Sequence, residues 1–383
     1  MSSNNSNGSN ERATVHASII RGSYDIPCGT GRGGTRPSQI HPRRLIAGTG
    51  GRGATRAERS CRSLVRQWSP TAKRSVLCLA LLCCLVGAGV VSAFDQPAVY
   101  QLKSKDHLLI MGDSTTARGI PVAGFVPLTD QAQREQLPEL GAKATGLGYD
   151  MSTSRDLIVH YMPMVDRMLL APNPPTVVAL FIGLNNSGQK EAGVGPYTED
   201  LRTLHKLLTE RKLRVIYCTP SAFVSELNRM KPYAEAARKV AAELKCPLID
   251  VQAAWVEHVH VNFKDGKFLP NANLTADGCH FSQLGENLTA TTILQGLGLK
   301  PVWQKYQLRT GFGGGGRGKV TVAPELPFYP PGTKVMVKVT IEAGDTMQGW
   351  AMDKWSDIVA TGAEYTVTMS NHHAVVALIR RKD

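Results

Sequence analysis

The chain has few aromatic residues, and few cysteines beyond its first 93 residues. Only 6% of its 383 residues are aromatic, whereas 42% are hydrophobic and 20% are charged. These proportions are ordinary for a globular protein, and they exclude a polytopic membrane protein, a coiled coil and a wholly disordered chain. Three of the eight cysteines, Cys218, Cys246 and Cys279, follow residue 93, too few for a disulfide framework. Cys218 and Cys246 either pair or are buried thiols, and burial is the favoured interpretation.

The net positive charge is also small in most of the chain, although the formal net charge of the whole chain is +13. Residues 1–74 alone carry a net charge of +10, so the remaining 309 residues carry only +3. A basic fold would indicate a nucleic-acid partner. Because the charge lies in the N-terminal segment, no nucleic acid is expected as a partner of the folded part.

The N-terminal segment shows no hydrophobic periodicity. Residues 1–74 are therefore predicted to be a disordered basic tail. Residues 75–93 form an apolar run that follows two basic residues and ends in Val91-Ser92-Ala93, a pattern typical of a secretory signal. A membrane anchor is the alternative, since a run of this length just spans a bilayer. We expect an exported protein, secreted or periplasmic, or anchored by residues 75–93.

The position of this signal raises a question about the translation start. A signal preceded by some seventy residues is unusual, and no Met lies between Met1 and Met111. A non-ATG start near Leu64 or Val65 would leave a short basic segment before the apolar run. We therefore expect translation to begin later than residue 1.

From residue 108 onward, short apolar runs alternate with helical patterns. The predicted strands are 108–112, 143–147, 176–183, 213–219 and 246–251, and the predicted helices are 154–170, 198–212, 227–245 and 282–297. Continuous apolar runs are typical of parallel strands that are buried on both faces. The alternation predicts a parallel sheet with helices on both faces, in which a ligand binds at the carboxyl ends of the strands.

The pattern changes after residue 299. Residues 300–318 include a glycine-rich stretch and are predicted to be a flexible linker. Residues 319–383 contain two period-two segments, 335–341 and 365–369, and a third predicted strand at 374–379. They are predicted to form a small β-rich module with Trp350 and Trp355 in its core. The adjacent His372 and His373 are predicted to be solvated on a turn rather than to bind a metal.

Four motifs follow the predicted strands or the last loop. Ser114, in Gly112-Asp113-Ser114, is either a nucleophile at a strand-to-helix turn or a helix N-cap. Asp277 and His280 are spaced so that the carboxylate can orient the imidazole as a base, or so that Asp277 merely caps a helix. Asn185 can donate to an oxyanion or close a turn. Gly148 can bring a backbone N–H close to a substrate or simply form a turn.

Together these motifs are similar to those of the SGNH hydrolases, also called GDSL-like esterases and lipases. The resemblance spans about residues 105–299 and is most specific at Gly112-Asp113-Ser114 and Asp277-Gly278-Cys279-His280. It implies a flavodoxin-like three-layer α/β/α sandwich with a central parallel sheet, and a serine esterase mechanism without metal or cofactor. Carried over by motif, the roles are Ser114 as nucleophile, His280 as base, Asp277 as the residue that orients it, and the Ser114 and Gly148 N–H groups with the Asn185 side chain as the oxyanion hole.

Two departures from the family pattern stand out. Asn186 occupies the position where the family usually has Asp, and this change is expected to alter loop geometry rather than abolish activity. The second motif is degenerate, and an alternative alignment places Met151 rather than Gly148 at the oxyanion position. The β-rich module resembles a divergent internalin-type B-repeat through Pro331-Gly332-Thr333-Lys334-Val335 and Gly349-Trp350. This resemblance implies an attachment or spacer role rather than chemistry, with the cell envelope as the partner to expect.

The sequence thus predicts an exported serine esterase that acts on an acyl or acetyl ester, with a small molecule or a polysaccharide as the substrate. The rival hypothesis is a surface or carbohydrate-binding protein on the same scaffold with a lapsed site. The linker interpretation also predicts that removal of residues 311–383 leaves turnover of small esters nearly unchanged.

Overall fold

The computed structural model describes residues 99–381 except 225, 265–266, 270–271 and 355–357. The predicted tail, the apolar run at 75–93 and Trp355 lie outside the described residues. Across the part of the chain that is described, no helix combines the length and the apolar character that a membrane crossing needs.

The first part of the described chain alternates strands and helices. Its elements are β1 (His107–Gly112), α1 (Ser114–Gly119), α2 (Phe125–Gln136), β2 (Lys143–Gly148), α3 (Ser154–Asp156), a π-helical turn (Leu157–Tyr161), α4 (Met162–Leu169), β3 (Val177–Phe181), α5 (Val194–Glu210), β4 (Arg214–Cys218), α6 (Leu227–Glu243), β5 (Leu248–Ile249), α7 (Val251–Asn262), the short strands β6 (Phe263–Lys264) and β7 (Lys267–Phe268), and α8 (Gln283–Gly296). Short 3-10 helices occupy Pro138–Leu140 and Asn186–Gly193.

Five of these strands form one parallel sheet in the order β2-β1-β3-β4-β5, which is the flavodoxin order. Alternate residues of β1 enter opposite cores: Leu108 and Ile110 pack on one face, and Leu109 and Met111 on the other. Helices cover both faces, so the predicted three-layer α/β/α sandwich is confirmed. The apolar runs were predictive because a strand buried on both faces has no polar side to interrupt it.

The described residues of the C-terminal part form seven strands: β8 (Leu308–Gly313), β9 (Gly318–Ala323), β10 (Lys334–Ile341), β11 (Thr346–Met352), β12 (Ile358–Ala360), β13 (Glu364–Thr368) and β14 (His373–Arg380). They form two sheets, β13-β10-β9 and β12-β11-β14-β8. A separate core lies between the sheets, with Val337 of β10 and Val375 of β14 in the same cluster as Trp350, which is fully buried. The predicted β-rich module is therefore a small β-sandwich.

The prediction of a flexible linker over residues 300–318 needs correction. Residues 308–313 of that range form β8, which pairs in parallel with β14 along its whole length. Gly314 has a φ of 87°, and a Cβ there would lie 2.6 Å from the Ile379 carbonyl oxygen. The glycines therefore allow a close backbone approach at the sandwich edge, a role that composition does not distinguish from flexibility.

The prediction of a solvated His372–His373 pair is also wrong. His372 is 1% exposed and contacts the Trp303 ring edge to face, with centroids 4.8 Å apart. Burial lowers the pKa of His372 to about 3. His373 is 7% exposed, and its Nδ1 lies 2.6 Å from Asp353 Oδ2. The His372 ring therefore packs between the sandwich and the preceding segment, whereas the His373 ring contacts residues of the sandwich itself.

The three cysteines of the described region are free thiols. Cys218 is buried in the sheet, as the favoured interpretation predicted, and burial raises its thiol pKa to about 12. Cys246 is only half-buried, and its Sγ lies 3.6 Å from His205 Nδ1.

Candidate active site

The strand-to-helix turn after β1 presents Ser114 at the carboxyl edge of the sheet. The N-cap of α1 is Asp113, whose carboxylate accepts bonds from Thr115 N (3.0 Å) and from Thr115 Oγ1 (2.8 Å). Capping is thus done by the residue before the serine, and the Ser114 hydroxyl is free for another partner. The structure decides against the alternative that Ser114 is itself the cap.

His280 is that partner, although it lies 166 residues further along the chain. Its Nε2 is 3.1 Å from Ser114 Oγ, and its Nδ1 is 2.7 Å from Asp277 Oδ2. Asp277 Oδ1 also accepts bonds from the backbone N–H groups of Cys279 (3.0 Å) and His280 (2.7 Å). Gly278 has a φ of 90°, which lets this turn close on the carboxylate. The distances are those of a nucleophile, a base and an orienting acid.

The electrostatics of this turn favour an ionised Asp277. Burial raises the pKa of its carboxyl, but the hydrogen bonds from the His280 ring and from two backbone N–H groups outweigh that effect and hold the pKa well below its ordinary range. A permanently charged Asp277 can fix the imidazole tautomer and stabilise an imidazolium.

Asn185 and Asn186 have different partners after β3. The Asn185 side chain is half-buried, and its Nδ2 donates to Ser152 O at 2.9 Å. Asn186 is 7% exposed; its Oδ1 accepts from Ser154 N (3.0 Å) and its Nδ2 donates to Ser154 Oγ (2.9 Å). One amide hydrogen of Asn185 is thus used to hold the 152 loop, and the second is available to a ligand. Asn186 is a structural clamp between two loops.

Gly148 is the last residue of β2, and Met151 lies in the loop that follows. Gly148 pairs with Gly112 at the end of the strands, and a Cβ on it would lie 2.5 Å from Ala117 N and 2.7 Å from Asp113 O. Gly148 therefore packs directly against the nucleophile turn. Met151 is 78% exposed with a φ of 61°, a left-handed conformation that ordinarily favours glycine. Both positions have features of an oxyanion glycine, and the alternative stays open.

Two further residues of the site escaped the sequence analysis. Asp113 is 1% exposed, and burial raises its pKa to about 6, against the lowering effects of its bonds to Thr115, the charge of His280 and the N–H of Leu184. Tyr161 donates to Gly112 O at 3.1 Å, and its hydroxyl lies 2.9 Å from Ser152 Oγ. Asp113 is part of the first motif, so its place beside Ser114 could have indicated a role in the site. Tyr161 lies in a helical segment and belongs to no motif, so nothing in the sequence indicated its role.

A pocket of about 450 Å³ lies beside the site. Its lining includes Ser152 and Tyr161, which contact Asn185 and the nucleophile strand respectively. Tyr149 lines the same pocket, is 49% exposed and packs edge to face against Tyr161. The pocket thus presents the Tyr149 ring beside the loop that Asn185 holds. Within the described residues, no group of three or more His, Cys, Asp or Glu side chains is placed to hold a metal ion.

One family of known proteins has a model that matches the part of the chain that contains the site. The family model of the GDSL-like lipases/acylhydrolases matches residues 110–288. The match ends before the β-sandwich, so the B-repeat resemblance stays a prediction. None of the curated proteins compared with the chain matches it.

Several solved structures are similar to part of the chain. The acetylxylan esterase Axe2 from Geobacillus stearothermophilus is 23% identical, with a TM-score of 0.44, over 53% of this chain and 98% of the esterase. LAE5, an alpha/beta hydrolase from the metagenome of Lake Arreo in Spain, is 24% identical, with a TM-score of 0.43, over 51% of this chain and 97% of the hydrolase.

Proposed function

We propose that residues 110–288, which match the family model of the GDSL-like lipases/acylhydrolases, are a serine ester hydrolase in which Ser114, His280 and Asp277 carry out the hydrolysis of an acyl ester. The observation that supports this assignment is the continuous chain of contacts from Ser114 Oγ to His280 Nε2 (3.1 Å) and from His280 Nδ1 to Asp277 Oδ2 (2.7 Å).

The reaction proceeds in two steps. Ser114 Oγ attacks the ester carbonyl while His280 Nε2 takes the hydroxyl proton, and the tetrahedral intermediate collapses as that proton passes to the departing alcohol. Water then attacks the acyl-serine: His280 takes its proton, the acid is released, and Ser114 regains its hydrogen. Asp277 stays ionised throughout and stabilises the imidazolium.

The oxyanion of each intermediate is stabilised by hydrogen-bond donors around Ser114. The proposed donors are the free amide hydrogen of Asn185, the backbone N–H of Ser114 at the start of α1, and the backbone N–H of Gly148 or of Met151. Ser114 N–H suits this role because the first N–H groups of a helix have no partner within the helix. Donors held in place before the reaction are worth more than water, which must reorient.

The substrate is proposed to be an acyl or acetyl ester of a small molecule or of a carbohydrate. The carbohydrate part is supported by the exposed Tyr149 in the pocket next to the site, since an aromatic ring presents an apolar face with a polar edge.

The β-sandwich is proposed to contact the cell envelope, and residues 75–93 are proposed to direct export. N-terminal sequencing of the mature protein tests cleavage: an N-terminus directly after Ala93 is the expected result, and an intact residue 75 would favour the membrane anchor. Recovery of the protein in the cytoplasmic fraction would contradict export.

The mechanism is tested with a panel of p-nitrophenyl esters and acetylated sugars, together with fluorophosphonate labelling. Ser114→Ala should abolish labelling and nearly all turnover, and adding His280→Ala should cost little more, because triad members are strongly non-additive. A second Ser-His-Asp set lies in the sandwich, where Ser370 Oγ is 3.4 Å from His373 Nε2, so the labelled residue must be identified by mass spectrometry.

The outcome also separates the two hypotheses raised by the sequence. Folded wild-type protein that is neither labelled nor active on any ester would favour the binding-protein hypothesis. A label on Ser370 instead of Ser114 would contradict the proposed nucleophile.

A further inference from the structure

The short loop after the nucleophile helix is held by side chains from two distant parts of the chain. Ala123 is fully buried and has a φ of 62°, a left-handed conformation that is unfavourable for alanine. Its N–H donates to Gln307 Oε1 (2.8 Å), and its carbonyl accepts from Gln283 Nε2 (2.6 Å). Such a conformation persists only where the surroundings determine it, and the two glutamines supply that constraint.

Arg309 of the sandwich strand β8 makes the second connection to this loop. Its Nε donates to Val122 O (2.7 Å), and its Nη2 donates to Arg118 O and Pro121 O (both 3.2 Å). These carbonyls lie at and just beyond the C-terminal end of α1, whose first residue is the nucleophile Ser114. A guanidinium placed there satisfies carbonyls that the end of a helix leaves without partners.

The sandwich also contacts the segment that carries the catalytic base. Gln283 is the first residue of α8, three residues after His280, and its N–H donates to Asp353 O at 3.2 Å. Asp353 is held in turn by the Ala374 N–H, which donates to its Oδ1 at 2.8 Å, and by His373. Sandwich residues therefore touch both sides of the triad: the end of the Ser114 helix and the start of the helix after His280.

We propose that the β-sandwich is a brace for the catalytic centre and that Arg309 and Gln307 are its positioning residues, which keep the Ser114 helix in register with the His280 turn. This proposal rests on the proposed function, because it concerns the geometry of the same triad. Nucleophile and base come from segments 166 residues apart, and catalytic groups must be held within about 0.5 Å of the productive geometry. The contacts of Arg309, Gln307 and Asp353 connect those two segments through a third segment of the chain, the one that forms the sandwich.

The brace makes a different prediction from the flexible-linker interpretation. A tethered module would leave turnover of small soluble esters unaffected by any substitution within it. A brace acts on the chemical step for every ester, since misplacement of about 1 Å can reduce a rate by about 100-fold. The effect of a brace therefore falls on kcat and on the labelling rate rather than on KM.

The experiment compares Arg309→Met with Arg317→Ala in the full chain. Arg309→Met keeps the length of the side chain and removes its donors. Arg317 is the matched control, an arginine of the same sandwich whose Nε lies 3.2 Å from Glu342 Oε2 at the surface. Arg309→Met should lower kcat and the fluorophosphonate labelling rate by about 10- to 100-fold, with KM on p-nitrophenyl acetate within twofold, while Arg317→Ala should match wild type.

Two further variants keep the test decisive. Arg309→Lys retains one donor and the charge, and should restore part of kcat. Gln307→Leu removes the acceptor for Ala123 N–H and should lower kcat in the same way as Arg309→Met. Circular dichroism and thermal unfolding check that each variant is folded.

The outcomes separate this proposal from the proposed function. An inactive Ser114→Ala beside an Arg309→Met with wild-type kcat would overturn the brace and leave the esterase mechanism intact. An active Ser114→Ala would overturn the mechanism and the brace together. Unfolding of all three brace variants would also contradict the brace, since the contacts would then stabilise the fold rather than position the triad.

Discussion

Asp113 and Ser114 divide two tasks that a single serine might have combined. The Asp113 carboxylate caps α1, so the Ser114 hydroxyl is left for the His280 ring. Ser114 as a residue is 5% exposed. A serine that capped its own helix would have its oxygen occupied by a backbone N–H. The order of acid and serine in the motif therefore has a physical consequence for reactivity.

Asn185 is expected to contribute to the transition state more than to substrate binding. Asn185→Ala should reduce kcat by roughly 100- to 1000-fold, the scale of one lost oxyanion donor, with little change in KM. Labelling by a fluorophosphonate should remain detectable, because the nucleophile and base are intact. Steady-state kinetics beside the exposed control Asn173→Ala provide the measurement, and a wild-type kcat for Asn185→Ala would remove this residue from the oxyanion hole.

The hydrogen bonds of Asn186 reverse the expectation that the family pattern gives for an Asp at this position. An Asp there looks neutral or mildly helpful by sequence alone. However, Asn186 Nδ2 donates to Ser154 Oγ, which itself donates to Asp200 Oδ2 at 2.8 Å. A carboxylate at 186 would lose this bond, because Ser154 has a single hydroxyl hydrogen, and would add a negative charge near the buried Asp200.

Asn186→Asp should therefore lower the free energy of unfolding by roughly 1–3 kcal/mol at neutral pH. The loss should shrink in acid, where a protonated Asp can donate again. Urea unfolding at several pH values measures the effect, with the exposed Asn173→Asp as control. Equal stability of the two variants at neutral pH would contradict the hydrogen-bond argument.

At the scale of elements, the carboxyl end of β2 must fit beneath the nucleophile helix. An alanine at 148 would bring its Cβ to 2.5 Å from Ala117 N, so the backbone of α1 has to shift. Gly148→Ala should reduce kcat at least tenfold and destabilise the fold by about 1–3 kcal/mol. Gly188→Ala is the matched control, because its Cβ would meet no atom within 4 Å. Unchanged kcat in Gly148→Ala would show that β2 and α1 do not share this constraint.

The helices and strands also differ in how accurately the sequence predicted their presence and their ends. The predicted β1 begins one residue later than the observed strand. The predicted β3 and β4 extend one or two residues beyond the ends of the observed strands, because the apolar runs in the sequence are longer than the paired segments. The strand predicted at 246–251 is only Leu248–Ile249, because it pairs on one side at the edge of the sheet. Helices α2 and α7 were missed, as were the sandwich strands β8, β9, β11 and β12. β8 was hidden by glycines whose role depends on the partner strand β14.

At the scale of the whole molecule, a buried carboxyl of the hydrolase part is affected by the charge of Arg309 in the sandwich. Glu286 is 2% exposed, and its Oε2 accepts from Phe125 N at 2.9 Å, at the start of α2. Burial raises its pKa from an ordinary 4.5 to about 7, although the charge of Arg309 opposes the shift. The folded protein therefore holds this proton more tightly than the unfolded chain does.

This difference in proton binding predicts a pH dependence of stability. The stabilisation by Glu286 is fully present below about pH 4.5 and is lost as the pH rises through about 7. Glu286→Gln should flatten the fall in unfolding free energy across this window, by an amount on the order of 3 kcal/mol. Urea unfolding from pH 4.5 to 7.5 measures the slopes, with the exposed Glu139→Gln as control. Identical slopes for wild type and Glu286→Gln would refute the assignment of the raised pKa to this residue.

The sequence by itself determined the class of the fold and indicated the residues of the proposed triad. Buried parallel strands must be apolar throughout, and catalytic groups follow such strands at one edge of the sheet, so both leave a local pattern. Tertiary structure alone decided which glycines lie in a turn and which lie in a paired strand. It also decided that Asn186 joins two loops and that Arg309 reaches the Ser114 helix from β8. Those roles depend on contacts between residues up to 191 positions apart, and the composition of a segment carries no record of its distant partner.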